Sequence, residues 1–358
     1  MKKTIDLNSI VRNNIRLLSP YSSARDEFKG EASLYLDANE NNFGSPLAEA
    51  FNRYPDPLQR ELKEAIASLK SVRSEQIFLG NGSDEAIDLL FRIFCRPGAD
   101  KVITCPPTYG MYDVSARIND VEVIQIPLVK ETFQLDTARI LNAITPETKL
   151  IFFCCPNNPT GNGVSWSAIK SVLESSQGLV VVDEAYIDFA SYGSLLSELD
   201  NYPNLVILQT FSKAWGLAGL RLGMAFASAG VIEWMNKVKA PYNINQATQA
   251  LILQALSRST QVKQWIRNTR EEREWLRAQL TAFPWVRTVY PSEANFILMR
   301  VENAQALYVF LLSKGIVVRN RQHIPGCEQC LRISIGTPEE NQKLIQILTS
   351  YNEKNTLY

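Results

Sequence analysis

The chain of 358 residues is poor in several residue types and sequence features on which common protein functions depend. It contains one histidine, His323, which removes most Ser-His-Asp mechanisms and metal sites built from several histidines. Its 37 Lys and Arg residues balance its 37 Asp and Glu residues. Because there is no basic excess, binding to nucleic acid or to a membrane surface through charge is not expected. Any proton transfer should therefore use lysine, aspartate, glutamate or tyrosine.

Long apolar runs are also missing. Lys2 and Lys3 are not followed by an apolar stretch, so no signal peptide is predicted. No run approaches the ~20 apolar residues of a membrane-spanning helix, and we expect a soluble, cytoplasmic protein. The six cysteines are then expected to be reduced thiols. Cys327 and Cys330 form a lone C-x-x-C without the second pair of a structural zinc site, so no metal is predicted.

Short apolar runs alternate with helical patterns through the first two thirds of the chain. Continuous runs such as 151–154 and 179–182 are typical of strands buried on both faces. The predicted strands are 76–80, 101–105, 121–127, 149–154, 179–183, 205–210 and 222–227. Apolar residues at helical spacing lie between them, and this alternation predicts an α/β domain with a mostly parallel sheet.

The pattern changes after residue 240. A long charged helix at 262–283 precedes two strand-like segments, 295–301 and 331–335, with helices near 304–314 and 338–352. These elements predict a smaller α+β domain. Residues 1–43 are interpreted as an N-terminal arm, with a short helix around residues 10–18 and a short strand at 34–37 that joins the small domain. The predicted divisions are 1–43, 44–240 and 241–358.

The segment 80–85, which reads GNGSDE, follows a predicted strand and opens a predicted helix. Backbone N–H groups at a helix start attract anions, often phosphate. The glycine spacing matches neither the dinucleotide fingerprint nor the P-loop. The segment is therefore either an anion site or a tight turn with Ser83 as the helix N-cap.

Three further motifs place polar side chains just after predicted strands, where open α/β sheets bind ligands. Asn157 lies in the segment 155–161, whose composition is also good turn chemistry. Asp183 ends an apolar strand, and a buried carboxylate there needs a helix start, an arginine or a bound cation. Lys213 is either an ordinary exposed lysine or one whose partial burial lowers its pKa and makes it nucleophilic. Arg221 follows Lys213 after a flexible turn.

Taken together, these motifs resemble the fold-type-I pyridoxal-phosphate-dependent aminotransferases of class II. The residues that carry the resemblance, in chain order, are Asn157, Asp183, Tyr186, Ser212, Lys213 and Arg221. The resemblance implies an α/β fold with a large domain around a mostly parallel central sheet and a smaller α+β C-terminal domain. It also implies pyridoxal 5′-phosphate as cofactor, with Lys213 as covalent anchor and general base and with Asp183 charging the ring nitrogen.

The same resemblance implies the other contacts of the cofactor. Asn157 and Tyr186 are expected at the phenolic oxygen of the ring, and Tyr109 on the face of the ring. The cofactor phosphate is expected to lie at Ser83, Asp84, Ser212 and Arg221. Tyr54 is expected to reach that phosphate from the neighbouring subunit, which implies a homodimer.

Motifs around Tyr54, Tyr109 and Arg332, and in the arm, resemble the branch of this family that acts on histidinol phosphate. The substrate-binding residues that this branch implies are Tyr21, Asn39, Arg319 and Arg332, although Arg319 is alternatively a surface charge beside Arg321. The implied reaction exchanges an amino group between L-histidinol phosphate and 2-oxoglutarate, in histidine biosynthesis. Two alternatives stay open, an aromatic amino-acid aminotransferase of the same branch and a threonine-phosphate decarboxylase-like lyase.

Overall fold

A seven-stranded sheet forms the centre of the computed structural model, which describes residues 6–20 and 33–355. Its strands are β1 Ile77–Asn81, β2 Lys101–Thr104, β3 Glu122–Gln125, β4 Thr148–Cys154, β5 Leu179–Asp183, β6 Leu205–Thr210 and β7 Leu222–Ala227. Their spatial order is β1-β7-β6-β5-β4-β2-β3, and only β7 runs antiparallel to its neighbours. The prediction of a mostly parallel sheet is confirmed.

The central strands are buried on both faces. On β5, Val180 and Val182 pack into one apolar cluster while Leu179 and Val181 pack into another on the opposite face, and all four are fully buried. Because successive side chains point to opposite faces, both sets must be apolar. This is the physical reason for the continuous apolar runs in the sequence.

Helices cover both faces of this sheet. They are α1 Leu7–Ile10, α2 Asn13–Arg16, α3 Arg60–Lys70, α4 Gly82–Phe94, α5 Met111–Ile118, α6 Thr137–Ala143, α7 Trp166–Ser175 and α8 Ala229–Val238. Short 3₁₀ helices occur at Ser74–Gln76, Ile187–Phe189, Leu195–Glu198 and Ala218–Leu220. Every parallel crossover thus carries a helix or a helical turn, as a parallel sheet requires.

A four-stranded antiparallel sheet belongs to the C-terminal part. Its strands β8 Val286–Val289, β9 Phe296–Val301, β10 Arg319–Asn320 and β11 Cys330–Ser334 lie in the order β10-β11-β9-β8. The helices of this part are α9 Gln246–Leu256, α10 Ser259–Thr281, α11 Ala304–Ser313 and α12 Pro338–Asn355. The predicted smaller α+β unit is confirmed, whereas its division from the large domain at residue 240 stays a prediction.

The interpretation of the arm was wrong in two details. Residues 34–37 are not a strand in the structure, and Leu34 and Leu36 are 68% and 70% exposed, so their apolar character does not reflect packing in a sheet. The single predicted helix is two, because the N–H of Arg12 between them donates to the carbonyl of Ile93 instead of continuing the first helix. Tyr21 lies outside the described residues.

Within residues 6–20 and 33–355, no helix is long and apolar enough to cross a membrane. The same ranges contain no group of three or more His, Cys, Asp or Glu side chains placed to hold a metal ion. All six cysteines are buried free thiols.

Candidate functional site

A cavity of about 210 Å³ lies at the carboxyl ends of β4, β5 and β6, beside the start of α4. Eight of the sequence-predicted site residues line it. Four of them, Ser83, Asp84, Ser212 and Arg221, were predicted at the phosphate of a cofactor. The other four are Tyr109, Asp183, Tyr186 and Lys213. The folding of the sheet therefore brings together residues that lie up to 138 positions apart in the sequence (221 − 83 = 138).

One end of the cavity is formed by the start of α4. Ser83 is the second residue of this helix and not its N-cap, which is Asn81. The side chain of Asn81 does not cap the helix, and the Asn81 N–H instead donates to Glu85 Oε2 at 2.5 Å. The guanidinium of Arg221 lies over this helix start, with Nη2 3.7 Å from Asp84 Oδ2. A helix N-terminus beside an arginine is a suitable site for a phosphate.

Two glycines allow the close approach of these parts. Gly82 has φ +72°, and a Cβ there would lie 2.7 Å from the Arg221 guanidinium. A Cβ on Gly223 would lie 2.1 Å from the backbone nitrogen of Ser83, which is impossible without a backbone shift. A side chain at Gly223 would push β7 away from the helix start, whereas one at Gly82 would be strained at its positive φ and would displace the Arg221 guanidinium.

Gly223→Ala is expected to lower the free energy of unfolding by about 3 kcal/mol, because the added methyl group forces β7 and α4 apart. It should also weaken the binding of pyridoxal phosphate if the displaced N–H groups bind its phosphate, as the resemblance predicts. Urea unfolding and cofactor titration measure the two effects. Gly219→Ala is the matched control because a Cβ there meets open space. Equal unfolding midpoints for the two variants would contradict this account.

The floor of the cavity carries the buried carboxylate of Asp183, which is 3% exposed. The Tyr112 hydroxyl donates to Oδ2 at 2.7 Å, and the Ala185 N–H donates to Oδ1 at 3.0 Å. Burial raises the pKa of Asp183, whereas these two hydrogen bonds act to lower it. A cation bound above the carboxylate would favour its charged form further.

The role of Tyr112 was missed by sequence reasoning. Its ring is fully buried and stacks on Phe152 at a centroid distance of 4.6 Å, so the hydroxyl is held in place against Asp183. The sequence shows only a tyrosine on the apolar side of a helix. Nothing in that local pattern identifies its partner 71 residues later.

Tyr112→Phe is expected to move the acid limb of the activity profile upward by about one to two pH units. The hydroxyl favours the charged form of Asp183, so removing it raises the pKa of that carboxyl, and the charge is lost at a higher pH as the solution is acidified. The measurement is kcat against pH. Tyr202→Phe, at a buried tyrosine packed on Trp166, is the control. Coincident profiles for both variants would show that Tyr112 does not act on Asp183.

Lys213 follows β6 in a turn where the Ser212 N–H donates to the Thr210 hydroxyl at 3.0 Å. Its side chain is exposed to the cavity, and Nζ lies 5.5 Å from the centroid of the Tyr186 ring. Desolvation of the amine lowers the pKa of Lys213, and the positive charge of Arg332 lowers it further. A larger fraction of neutral amine is therefore present, which makes the group both a nucleophile and a base.

Arg332 connects this cavity with a second one of about 800 Å³. Its Nη1 donates to the side-chain oxygen of Asn158, which lines the first cavity, and its guanidinium lies 5.0 Å from the centroid of Phe296. Arg332 itself lines the second cavity, as does Arg319. The two predicted substrate-binding arginines are thus neighbours, and one of them extends to the cofactor region.

Three predicted site residues do not line either cavity in the described part of the chain. Asn157 is buried in the adjacent wall, where its amide nitrogen donates to Pro107 O and Thr160 Oγ1. A bond to a ligand would have to replace one of these. Asn39 is exposed on the arm. Tyr54 is 49% exposed and stacks on Tyr242 at 4.4 Å.

The arrangement suits one kind of molecule. It offers an anion site at the α4 start, a buried carboxylate for a cationic ring and a lysine amine with a lowered pKa for an aldehyde. Pyridoxal phosphate has all three groups, and the close packing of Gly82 and Gly223 leaves the anion site open for its phosphate. The residues present therefore fit this cofactor.

The comparisons with known proteins agree with this choice of cofactor. Residues 37–348 match the family model of aminotransferase class I and II. Over 345 residues the chain is 51% identical to a histidinol-phosphate aminotransferase of Cytophaga hutchinsonii, which covers 96% of this chain and 99% of that protein. The solved histidinol-phosphate aminotransferase of Clostridium acetobutylicum is 25% identical with a TM-score of 0.79, covering 85% of this chain and 92% of that one. The Sinorhizobium meliloti enzyme, solved in complex with pyridoxal-5′-phosphate, shares the fold at 23% identity and a TM-score of 0.77, covering 88% and 90%.

Proposed function

Because the chain belongs to the family of class I and II aminotransferases, we propose that it transfers an amino group between L-histidinol phosphate and 2-oxoglutarate. Pyridoxal phosphate is its cofactor, imidazole-acetol phosphate and glutamate are the compounds on the other side of this reversible exchange, and the reaction is a step of histidine biosynthesis. The observation that carries the substrate assignment is the likeness over nearly the whole chain to histidinol-phosphate aminotransferases. The cavity supports the reaction type, since Lys213, Asp183 and the anion site meet there.

Different residues of the chain hold different groups of the cofactor. Arg221, the Ser212 hydroxyl and the N–H groups at the start of α4 bind its phosphate. Asp183 holds the positive charge of the ring nitrogen. An opposite charge at ~4 Å and an effective dielectric of ~20 corresponds to roughly 4 kcal/mol, or about three pKa units. Tyr109, Asn157 and Tyr186 are proposed to orient the ring.

Lys213 has two tasks in the reaction. Its Nζ would hold the cofactor covalently at the aldehyde, and it would be a free amine whenever the amino group of the substrate occupies that position. The freed amine then accepts the proton from the substrate carbon that bears the amino group, and later returns a proton during transfer. The cofactor supplies the electron sink that makes this carbon acidic. Arg332 orients the substrate through its anionic group.

We also propose a homodimer in the cytoplasm. Large apolar side chains in and just after the arm are exposed in the single chain, among them Leu36, Phe43 and Leu47. Exposed apolar surface of this kind favours a protein contact, and a second copy packed there would lie close to Tyr54, which is 49% exposed. Sedimentation of the wild-type chain as a monomer would contradict the dimer. Recovery of the native protein from a membrane or periplasmic fraction would contradict the location.

The function is tested by the products formed from three amino compounds. The holoenzyme receives 2-oxoglutarate with L-histidinol phosphate, L-phenylalanine or O-phosphothreonine, and glutamate and carbon dioxide are measured. We expect glutamate formation to be much faster with histidinol phosphate. Preference for phenylalanine would favour the aromatic aminotransferase, and release of carbon dioxide from phosphothreonine would favour the lyase.

A further inference from the structure

Three arginines share one face of the ribbon formed by β10 and β11. Arg319 lies directly opposite Arg332 in the register, and the Arg321 N–H donates to the Cys330 carbonyl at 2.9 Å. Residues two apart on a strand point the same way, and opposite residues share a face. Arg319, Arg321 and Arg332 therefore project from one face, and all three line the second cavity.

This face is turned toward the large domain. Leu298, the partner of Arg332 on β9, packs in the same apolar cluster as residues of the central sheet, and Cys330 does so as well. Leu331 and Ile333 pack in the core of the small unit on the opposite side. Of the three guanidinium groups, that of Arg332 reaches Asn158 at the cofactor cavity, and those of Arg319 and Arg321 belong to residues that line the second cavity with it.

The positive charges on this face are not balanced. Among residues 6–20 and 33–355, no carboxylate forms an ion pair with any of the three arginines. Glu340 lines the same cavity, but its carboxylate accepts the Thr337 N–H. Uncompensated arginines at close range repel one another, which is tolerated where an anion binds between them.

Of the two arginines on the β10 side of the ribbon, Arg321 is more buried than Arg319. Arg319 is exposed, whereas Arg321 is half-buried and its Nε is a buried donor without an acceptor in the described ranges. Burial, Arg332 and Arg319 lower the pKa of Arg321 to about 10, so the guanidinium stays charged at neutral pH. Its charge also acts on Tyr186 in the cofactor cavity, together with that of Arg332. A buried donor without a partner is costly unless a ligand satisfies it.

We propose that Arg321 binds the phosphate of the substrate together with Arg332 and Arg319, and thereby favours a donor that carries a phosphate monoester over one that carries a carboxylate. The inference rests on the proposed function and adds a residue to its substrate site. Arg321 supplies the inner, desolvated cation, and Arg319 supplies the outer one. A phosphate dianion offers three acceptor oxygens, enough to satisfy the buried Nε and its neighbours, whereas a carboxylate offers two and one negative charge less.

The test compares the wild type with Arg321→Gln in the holoenzyme. We expect the KM for histidinol phosphate to rise about 10- to 100-fold while kcat changes less than about 3-fold, because a charge-assisted contact away from the reacting carbon is lost. Turnover of phenylalanine, which carries a carboxylate and no phosphate, should fall less. Arg321→Lys should recover part of the KM, and Arg287→Gln, at an exposed arginine paired with Glu302, is the control.

Inhibition by inorganic phosphate separates this inference from the proposed function. With any donor that the wild type turns over, phosphate should inhibit the wild type about 10-fold more strongly than Arg321→Gln. If the wild type does not turn over histidinol phosphate, the proposed function is wrong, but inhibition by inorganic phosphate still tests the role of Arg321. A KM and a phosphate inhibition constant within about 2-fold of the wild-type values would overturn the inference, and so would equal losses with phosphorylated and unphosphorylated donors.

Discussion

Lys213→Ala is expected to reduce amino transfer by about 10⁴-fold or more, because one side chain supplies both the covalent anchor and the general base. The cofactor should still bind, since Arg221 and the helix start that hold its phosphate are intact. Single-turnover kinetics with histidinol phosphate measure the rate. Mass spectrometry after borohydride reduction measures the covalent bond, which should be present in the wild type and absent in the variant.

Lys237→Ala is the matched control for this experiment. Lys237 is a half-buried lysine outside the cavity, and its Nζ lies 4.6 Å from the centroid of Trp234 and donates to the Arg16 carbonyl. It should retain both the rate and the reducible bond. A cofactor adduct that persists in Lys213→Ala would show that another lysine is the anchor, and the mechanism proposed here would be wrong.

Asp183→Asn is expected to bind pyridoxal phosphate and to lose about 10³-fold in kcat. The neutral amide has nearly the same shape, so the packing survives, but the roughly 4 kcal/mol of charge interaction with the ring nitrogen is lost. The cofactor absorbance spectrum should change as well, because the ring nitrogen is then no longer held protonated at neutral pH. Stopped-flow kinetics and spectra between pH 6 and 9 provide the measurements.

Two comparisons sharpen the Asp183 experiment. Asp188→Asn, five residues later and paired with Lys70 at 3.5 Å, removes a carboxylate that does not line the cavity and should leave kcat unchanged. Tyr112→Phe keeps the charge of Asp183 and should therefore give near-normal turnover at high pH. An Asp183→Asn variant as active as the wild type at every pH would refute the assigned role.

Much of the fold was predictable because burial on both faces leaves a clear trace in composition. The strands β4, β5 and β6 are continuous apolar runs, and their predicted bounds agree with the structure to within one residue. Short or evenly apolar elements leave no such trace. The two-residue strand β10 and the helix α9, whose apolar residues are not confined to one side, were not predicted. The strand predicted at 34–37 failed because exposed apolar residues look the same in sequence as buried ones.

The residues of the cofactor cavity were predictable where a local sequence pattern, such as the end of a strand, places them. Asp183 and Lys213 each end a recognisable strand, and strand ends converge at one edge of the sheet. Contacts between segments that are distant in the sequence were not predictable. The partnership of Tyr112 with Asp183 and the common face of Arg319 and Arg321 with Arg332 depend on how distant segments pair. The roles assigned to the site residues stay predictions until the variants are measured.

The loop between β6 and β7 has a consequence for how this site can fail. Residues 211–221 leave the sheet at Thr210 and return at Leu222, and they carry Lys213 near one end and Arg221 at the other. A single hairpin connection thus carries both the residue proposed to bind the aldehyde of the cofactor and one of those proposed to bind its phosphate. Distortion of the whole connection should therefore weaken both contacts together, whereas a substitution at Lys213 alone removes only the covalent one.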